Sequence, residues 1–194
     1  MIFNFFKQVE SVVREIDVTQ AVSQLRSGEV IAYPTEAVYG LGCDPFNLQA
    51  VEKLFHVKQR PFEKGVILVA SSVDQVVSYV ELLGMDWEPA VLQTWPGPVT
   101  WVLPAKKGVP DWVTGGRETV AIRVSDHPVI QAICTAYGQP MVSTSANVTS
   151  QPPAMSCLEI YSIFKKKVFC VAGELGGLKK PTQIREAVTG AVLR

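Results

Sequence analysis

The stretch from Val30 to Ala70 constrains the fold of this chain more than any other part of the sequence. It opens with the apolar run Val30 to Tyr33 and closes with a second apolar run, Val66 to Ala70. Short apolar runs that end at glycine or proline are typical of buried strands. Between the two runs, the sequence predicts a polar loop, Thr35 to Pro45, and then a helix. Open α/β proteins frame a ligand site with this order of strand, loop, helix and strand.

Clear signals mark the two ends of this helix. Asn47 is the expected N-cap, and the helix must end near Arg60 because Pro61 disfavours the α conformation of the residue before it. The same reasoning predicts further helices over 17–27, 71–80, 129–137 and 156–164, and further strands over 99–103, 119–124, 141–144, 168–172 and part of 183–194. Because strands and helices alternate, we expect one domain of the α/β class with a mixed, partly parallel sheet.

Composition places the chain among ordinary globular proteins. Its 194 residues suit one domain, and 47% of them are apolar while 19% are charged. Basic and acidic residues both total 18, so the net charge is zero and does not attract nucleic acid to the protein as a whole. A local basic face is still compatible with these numbers. No segment approaches the roughly 20 apolar residues that span a bilayer. We expect a cytoplasmic protein without a membrane partner.

The four cysteines lie at positions 43, 134, 157 and 170, with no C-x-x-C motif and no histidine pair nearby. We therefore expect each to be a small apolar residue in a reducing compartment, rather than a disulfide partner or a zinc ligand. The sequence predicts no protein metal site.

The first of two candidate loops follows the strand that Pro34 ends. It carries Thr35 and Glu36 together with Gly40 and Gly42, whose small size would let the backbone approach a ligand or take positive φ. An ordinary βα turn explains this loop equally well.

The second candidate loop, Ser143 to Asn147, directly follows another predicted strand. Its three hydroxyls and one amide suit phosphate oxygens, a ribose or a carboxylate. The alternative is an N-cap cluster, but Pro152 and Pro153 leave little room for a helix, so we favour ligand binding.

Lys58, Arg60 and Lys64 form a cationic group around the end of the predicted helix. Lys58 and Arg60 point to different faces of a regular helix, but both can reach one point if the helix frays at Pro61. An arginine fork with a lysine suits a triphosphate, whereas the alternative is that these cations complement the helix dipole.

Arg123 interrupts the otherwise apolar run Val120 to Val124. Arginine is rarely buried without a partner. It therefore either pairs with an internal carboxylate, such as Glu36 or Asp126, or faces a ligand carboxylate, and the residues by themselves leave both alternatives open.

Familiar signatures of nucleotide binding and nucleophilic catalysis are absent. The chain has no P-loop and no G-x-G-x-x-G motif, and His56 and His127 suggest structural roles rather than a catalytic triad. Two lysine runs, Lys165 to Lys167 and Lys179 to Lys180, are expected to be solvated faces or contacts to RNA phosphates.

Taken together, several segments of the sequence resemble the YrdC/Sua5 family. They are Ala32–Gly42, Lys58–Pro61, Trp95–Thr100, Val120–Val124 with His127–Pro128, and Ser143–Asn147, in the family's order. The likeness spans about residues 18–190 of a single domain, 1–194, and leaves 1–16 as an N-terminal extension. It indicates the short bacterial form of the family, without the C-terminal domain of the longer members.

The resemblance implies an activity and a shape. Family members form L-threonylcarbamoyladenylate and pyrophosphate from L-threonine, bicarbonate and ATP, which makes them nucleotidyltransferases. The product serves the threonylcarbamoyl modification of the tRNA adenosine next to the anticodon, through downstream transfer proteins. The implied fold is a single-domain twisted mixed sheet with flanking helices and a large concave basic face, which is linked to binding of double-stranded RNA. Mg²⁺ would arrive with ATP.

The resemblance also implies roles for individual residues. The catalytic Lys-x-Arg and Ser-x-Asn elements of the family correspond to Lys58, Arg60, Ser145 and Asn147. The residues implied for threonine are Thr35, Arg123 and Ser143, and those implied for ATP are Arg60, Lys64, Thr119, Ser145 and Thr182. The sequence departs from common family residues at Lys64, Val69 and Ser150, where Asn, His and Gly are frequent, and these departures concern ligand contacts more than the reaction.

The implied reaction needs no covalent nucleophile. A carbamate formed from threonine and bicarbonate attacks the α-phosphorus of ATP, so positioning and charge neutralisation through Lys58, Arg60 and Mg²⁺ would carry catalysis. Because a carbamate decomposes in water, the loops 106–116 and 172–181 are candidate lids. Two other hypotheses are a non-enzymatic RNA-binding or ribosome-maturation factor, and a carbamoyl-transfer module. The carbamoyl-transfer module expects acylphosphatase and zinc-finger segments, which this sequence lacks.

Overall fold

The computed structural model describes residues 17–59 and 65–194 of the chain. Its strands are β1 (Ile31–Pro34), β2 (Tyr39–Gly42), β3 (Ile67–Ala70), β4 (Val99–Pro104), β5 (Thr119–Val124), β6 (Met141–Ser145), β7 (Phe169–Cys170) and β8 (Gln183–Glu186). Its helices are α1 (17–26), α2 (Leu48–Lys58), α3 (Glu88–Leu92), α4 (Asp111–Thr114), α5 (Pro128–Tyr137) and α6 (Cys157–Phe164), with a 3-10 turn over Lys165–Lys167. The predicted N-terminal extension, 1–16, lies outside the described residues.

Within the described residues, eight strands form one mixed sheet in the order β7-β1-β2-β6-β3-β5-β4-β8. Antiparallel pairing joins β1 to β2, β2 to β6, β6 to β3 and β5 to β4. The pairs β1/β7, β3/β5 and β4/β8 are parallel. The predicted α/β domain, with a twisted mixed sheet and flanking helices, is therefore confirmed.

The two faces of the sheet are covered unequally. Alternate side chains of a strand point to opposite faces of a sheet. One face, which includes Leu41, Leu68 and Ile122, packs against α2, α3 and α6. The other face packs against α1 and α5 over an area that includes Tyr33 and Met141. Beyond that area the second face borders a cleft.

Local sequence signals set the ends of two helices. Asn47 caps α2, as predicted, because its side chain accepts a hydrogen bond of 3.2 Å from the Ala50 amide. At the other end Gln59 takes the left-handed conformation, with φ +49°. Ser156 caps α6 by accepting a hydrogen bond of 3.3 Å from the Glu159 amide. Among the described residues, no helix is both long enough and apolar enough to cross a membrane.

The prediction of a helix over 71–80 is wrong, because this segment consists of bends and turns. The apolar positions on which this helix was predicted are all valines, and β-branched side chains lose rotamer freedom in a helix. The segment still contributes to the core, since Val76 and Val80 are fully buried. The strand predicted over 168–172 is shorter than expected and covers Phe169–Cys170.

The predicted loop from Thr35 to Pro45 contains a strand, β2, so that prediction is also corrected. Gly40 and Gly42 lie in β2, and neither takes positive φ. A Cβ atom on Gly42 would lie 2.8 Å from Cε1 of Tyr33 and 2.7 Å from the carbonyl oxygen of Val142. Glycine is required there because the Tyr33 ring packs across the strand.

The prediction that all four cysteines stay unpaired is wrong for Cys157 and Cys170. These two form a disulfide between α6 and β7, with their Cα atoms 6.0 Å apart. The spacing argument missed the pair because tertiary packing of α6 against β7, not local spacing, brings the two residues together. Cys43 and Cys134 are free and buried, as expected. Burial raises the pKa of Cys134 to about 12.

Candidate active site

A cleft of about 550 Å³ lies on the open part of the second sheet face. Its walls are the turn between β1 and β2, the end of β6 with the loop that follows, and segment 181–194. Small-ligand pockets have volumes of about 300–1,000 Å³, so the cleft is large enough for substrates. Its lining residues are Thr35, Ala37, Val38, Tyr39, Gly40, Ile67, Arg123, Ser143, Thr144, Ser145, Asn147, Pro153, Pro181, Thr182, Ile184 and Arg194.

Arg123 borders the cleft although it is only 5% exposed. Its Nη2 lies 3.1 Å from Oε2 of Glu36, and its Nη1 donates a hydrogen bond of 2.9 Å to Oγ1 of Thr182. Glu36 is itself fixed, because Oγ of Ser125 donates a hydrogen bond of 2.6 Å to its Oε1. Arg123 therefore pairs with the internal carboxylate and also borders the cleft, so the two alternatives left by the sequence do not exclude each other.

One donor of this guanidinium is still unused. Among the described residues, the buried Nε of Arg123 has no hydrogen-bond partner. A buried donor without an acceptor costs about 1–3 kcal/mol, and a ligand in the cleft could reach this atom only if the side chain moved. A guanidinium held by Glu36 and Thr182 is suited to recognising a planar carboxylate.

The hydroxyl-rich end of β6 forms another wall of the cleft. Ser143, Thr144, Ser145 and Asn147 all line it. Oγ of Ser145 donates a hydrogen bond of 2.6 Å to Oδ1 of Asn147, and Nδ2 of Asn147 donates one of 2.8 Å to the Gln151 carbonyl. Hydrogen bonds between its own residues therefore stabilise the loop. Bends and turns follow the loop, and no helix starts directly after it. The alternative that its side chains form an N-cap cluster is therefore wrong.

Lys58 lies under this loop rather than free in the cleft, and it is only 2% exposed. Its Nζ donates to the carbonyl oxygens of Ser145 and Asn147, the second at 3.0 Å. In addition, the amide and the hydroxyl of Thr149 each donate a hydrogen bond of 2.9 Å to the Lys58 carbonyl. In the structure Lys58 therefore fixes the backbone of the loop, and the expectation that it also holds phosphates stays a prediction.

Several of the predicted site residues come together, and others do not. Thr35, Arg123, Ser143, Ser145, Asn147 and Thr182 line the same cleft. Thr119 does not line it, although it lies on the Arg123 side of β5, about 13 Å earlier along the strand. Arg60 and Lys64 lie outside the described residues. Val69 is buried in the core under α1 and α5 and does not line the cleft.

Sequence reasoning missed Arg194, which also lines the cleft. Its Nη2 donates a hydrogen bond of 3.2 Å to the Thr182 carbonyl. Burial, followed by the neighbouring charge of Arg123, lowers the pKa of Arg194. The tail reaches the cleft because the Ile184 amide donates to the Arg194 carbonyl at 3.0 Å. No motif surrounds Arg194 in the sequence, so no local signal could have identified it.

Of the two candidate lids, the loop 172–181 borders the cleft, whereas 106–116 supplies none of its lining residues. The Gly176 amide donates to the Thr35 carbonyl at 3.0 Å, and the Leu178 amide donates to the Glu36 carbonyl at 2.9 Å. A Cβ atom on Gly176 would lie 2.8 Å from Cα of Glu36, so this contact requires glycine. The loop is thus attached to the turn that carries two site residues.

His127 supports the same loop from below. Its Nε2 lies 3.1 Å from the carbonyl oxygen of Glu174, which fits the tautomer protonated at Nε2. Burial lowers the pKa of His127, while the Glu36 carboxylate opposes that shift. The structural role predicted for His127 therefore agrees with its position.

Comparisons with known proteins agree with one another. The Sua5/YciO/YrdC family model, which carries the description "Telomere recombination", matches residues 23–194. The chain is 48% identical to the threonylcarbamoyl-AMP synthase of Halorhodospira halophila over 182 residues, which are 93% of this chain and 95% of that protein.

Solved structures give the same result. Sua5 of P. abyssi in complex with L-threonine has a TM-score of 0.82 and 29% identity, over 91% of this chain and 53% of that protein. This chain therefore spans about half the length of that relative. YciO of E. coli has a TM-score of 0.79 and 28% identity, over 93% of this chain and 89% of that protein.

Proposed function

Because the chain belongs to the Sua5/YciO/YrdC family, we propose that it forms threonylcarbamoyl-AMP from L-threonine, bicarbonate and ATP. This reaction makes the enzyme a nucleotidyltransferase, since an adenylyl group passes from ATP to a carbamate oxygen. The names of the relatives support this function and give no support to a non-enzymatic RNA-binding role. One observation carries the proposal for this chain: Arg123 and the hydroxyl-rich end of β6 border a single cleft.

Threonine is proposed to bind at the Arg123 end of the cleft. Its carboxylate accepts hydrogen bonds from the guanidinium, whose position Glu36 and Thr182 hold. The hydroxyls of Thr35 and Ser143 lie on the same cleft and offer partners for the hydroxyl and amine of the substrate. The complex of P. abyssi Sua5 with L-threonine supports threonine as a ligand of this chain by similarity.

ATP is proposed to bind toward Ser145 and Asn147. Uncharged donors held in place by an internal network suit phosphate oxygens, because they need not reorganise during the reaction. Arg194 adds a guanidinium to this cleft, and Arg60 and Lys64 are the further cations proposed for the phosphates. Lys58 contributes indirectly, since it fixes the carbonyl groups of Ser145 and Asn147. The hydroxyls of Thr119 and Thr182 complete the proposed set.

Mg²⁺ is proposed to arrive bound to ATP. Among the described residues, no group of three or more histidine, cysteine, aspartate or glutamate side chains could hold a metal ion. The hydroxyl and amide groups that line the cleft suit water molecules around a metal ion that the phosphates hold. When bound, Mg²⁺ neutralises charge on the triphosphate.

The proposed reaction takes place in two steps. First, the neutral amine of threonine forms a C–N bond with the carbon of bicarbonate, and water leaves. Second, an oxygen of the resulting carbamate forms a bond to the α-phosphorus, while the bond between the α-phosphorus and its bridging oxygen breaks and pyrophosphate leaves. The residues of the cleft orient the two reactants and stabilise charge. Loop 172–181, attached to the turn of Thr35 and Glu36, would shelter the carbamate from water.

The product is proposed to serve threonylcarbamoyl modification of tRNA in the cytoplasm. Separate transfer proteins would pass the threonylcarbamoyl group to the adenosine next to the anticodon. Direct binding of tRNA or double-stranded RNA by this chain stays a prediction.

The test is incubation with ATP, Mg²⁺, labelled bicarbonate and a panel of amino acids. We expect a labelled adenylate and an equal amount of pyrophosphate with threonine, and much less with the other amino acids. A matched control is Lys53→Ala, an exposed residue of α2 whose ion pair with Glu29 lies outside the cleft. Pyrophosphate release that does not depend on threonine would contradict the proposal.

A further inference from the structure

A second cavity, of about 600 Å³, lies behind the loop that Lys58 fixes. It shares no lining residue with the first cleft. Its apolar wall includes the partly exposed Val57, Val148 and Ile163, and its cationic rim consists of Lys165 and Lys167. We call it the rear cavity. It is as large as the cleft proposed for the substrates, so its size suits a ligand of nucleotide dimensions.

The charged residues that line the rear cavity are all basic. Lys165 and Lys167 are exposed, and neither makes a salt bridge within the described part of the chain. Lys167 and His56 also line a smaller neighbouring cavity, where Lys53 forms an ion pair with Glu29. Two ammonium groups beside an apolar wall form a site for an anion that also carries an apolar or aromatic group.

Backbone strain is concentrated around the same cavity. Three non-glycine residues of the described chain have positive φ: Gln59, Ser150 and Lys165. Gln59 and Lys165 line the rear cavity, and Ser150 follows two residues after Val148, which also lines it. Lys165 has φ +55° and ψ −134°, a combination that favours glycine strongly. Non-glycine residues in such conformations cluster at ligand-binding sites.

We propose that the rear cavity binds a nucleoside phosphate, with the phosphate on Lys165 and Lys167 and the base against the apolar wall of Val57, Val148 and Ile163. This inference does not depend on the proposed reaction. It does connect to the first cleft, because Gln59 follows Lys58, whose Nζ holds the Ser145 loop. A nucleotide in the rear cavity would touch the backbone that positions the loop, and it would thereby change the rate of a reaction in the cleft.

The test is an NMR titration of the ¹⁵N-labelled full chain with AMP and, separately, with inorganic phosphate. We expect saturable shifts of the Val57, Ile163 and Lys167 amides, with AMP binding more tightly than phosphate. The double variant Lys165→Ala/Lys167→Ala should bind AMP at these residues about tenfold more weakly, because both phosphate partners are lost. The matched control Lys179→Ala/Lys180→Ala, which removes two exposed lysines that do not line the rear cavity, should bind as the wild type does.

A single variant separates strain from binding. Lys165→Gly should raise the melting temperature, because glycine relieves the backbone, and it should weaken AMP binding at the same time. Equal affinities for AMP and phosphate, or no saturable shift at these amides, would overturn the proposal. Tighter binding of a short single-stranded RNA than of AMP at the same amides would overturn the assignment to a free nucleotide.

Discussion

Replacing Glu36 by glutamine tests whether the buried pair with Arg123 organises the cleft. The two charged atoms lie 3.1 Å apart, and both side chains are only 6% exposed. Glutamine keeps the shape of the side chain and can still accept the hydrogen bond from Ser125, but it removes the negative charge. The variant therefore leaves a buried guanidinium without its compensating carboxylate.

The expected magnitude follows from that burial. Removing one partner of a buried ion pair costs about 3–5 kcal/mol, because the other charge stays buried. We expect Glu36→Gln and Arg123→Met each to lower the free energy of unfolding by about this amount. Replacing both partners removes both charges, so the double variant should be more stable than either single variant.

Urea denaturation of the wild type, the two single variants and the double variant measures this coupling. If the two single effects add to within about 0.5 kcal/mol in the double variant, the pair is not coupled and the reasoning is refuted. A ligand effect should accompany the stability effect. In Glu36→Gln the carboxylate of threonine would replace the missing charge, so saturating threonine should raise the melting temperature more than in the wild type. An equal rise in both proteins would contradict the assignment of the carboxylate to Arg123.

Three further predictions concern the loop, the phosphates and pH. Lys58→Met should reduce adenylate formation by about 10²-fold or more, because the carbonyls of Ser145 and Asn147 lose a donor; steady-state rates measure this, and an unchanged rate would contradict the role. Arg60→Ala should cost about 2–4 kcal/mol of transition-state stabilisation, whereas unchanged pyrophosphate release would remove Arg60 from the mechanism. The pKa of His127 is lower in the folded chain than its ordinary value of 6.5, so the unfolded chain binds more protons and stability should fall as pH drops below 6.5. Thermal melts from neutral to acidic pH should show a smaller loss for His127→Gln, and equal losses would exclude this contribution.

Much of the fold follows from local signals in the sequence. Pro34 ends β1, Asn47 caps α2, and the apolar residues around Arg123 form β5, because these signals act on the chain directly. The polar end of β6 could also be recognised as a site from local signals. Two prolines follow shortly after its three hydroxyls and leave little room for a helix, so the hydroxyls are not helix N-caps. Residues whose environment is set by neighbours in sequence are thus predicted well.

The remaining features depend on contacts between distant parts of the chain. No local pattern predicts that the Lys58 ammonium meets carbonyl groups 87 and 89 positions away. Arg194 reaches the cleft because its carbonyl accepts a hydrogen bond from the Ile184 amide, which folds the end of the chain back. The disulfide between Cys157 and Cys170 likewise depends on how α6 packs against β7. Contacts of this kind become visible only once the whole sheet is assembled.

Calorimetric titration of L-threonine and of ATP into the Glu36→Gln/Arg123→Met double variant tests the central claim most directly. The claim is that Arg123 recognises the carboxylate of threonine while the end of β6 binds ATP in the same cleft. We expect threonine affinity to fall by about tenfold or more, since a hydrogen bond to a charged group contributes about 1.5–3 kcal/mol. ATP affinity should stay close to that of the wild type. Unchanged threonine affinity, or an equal loss for both ligands, would contradict the account.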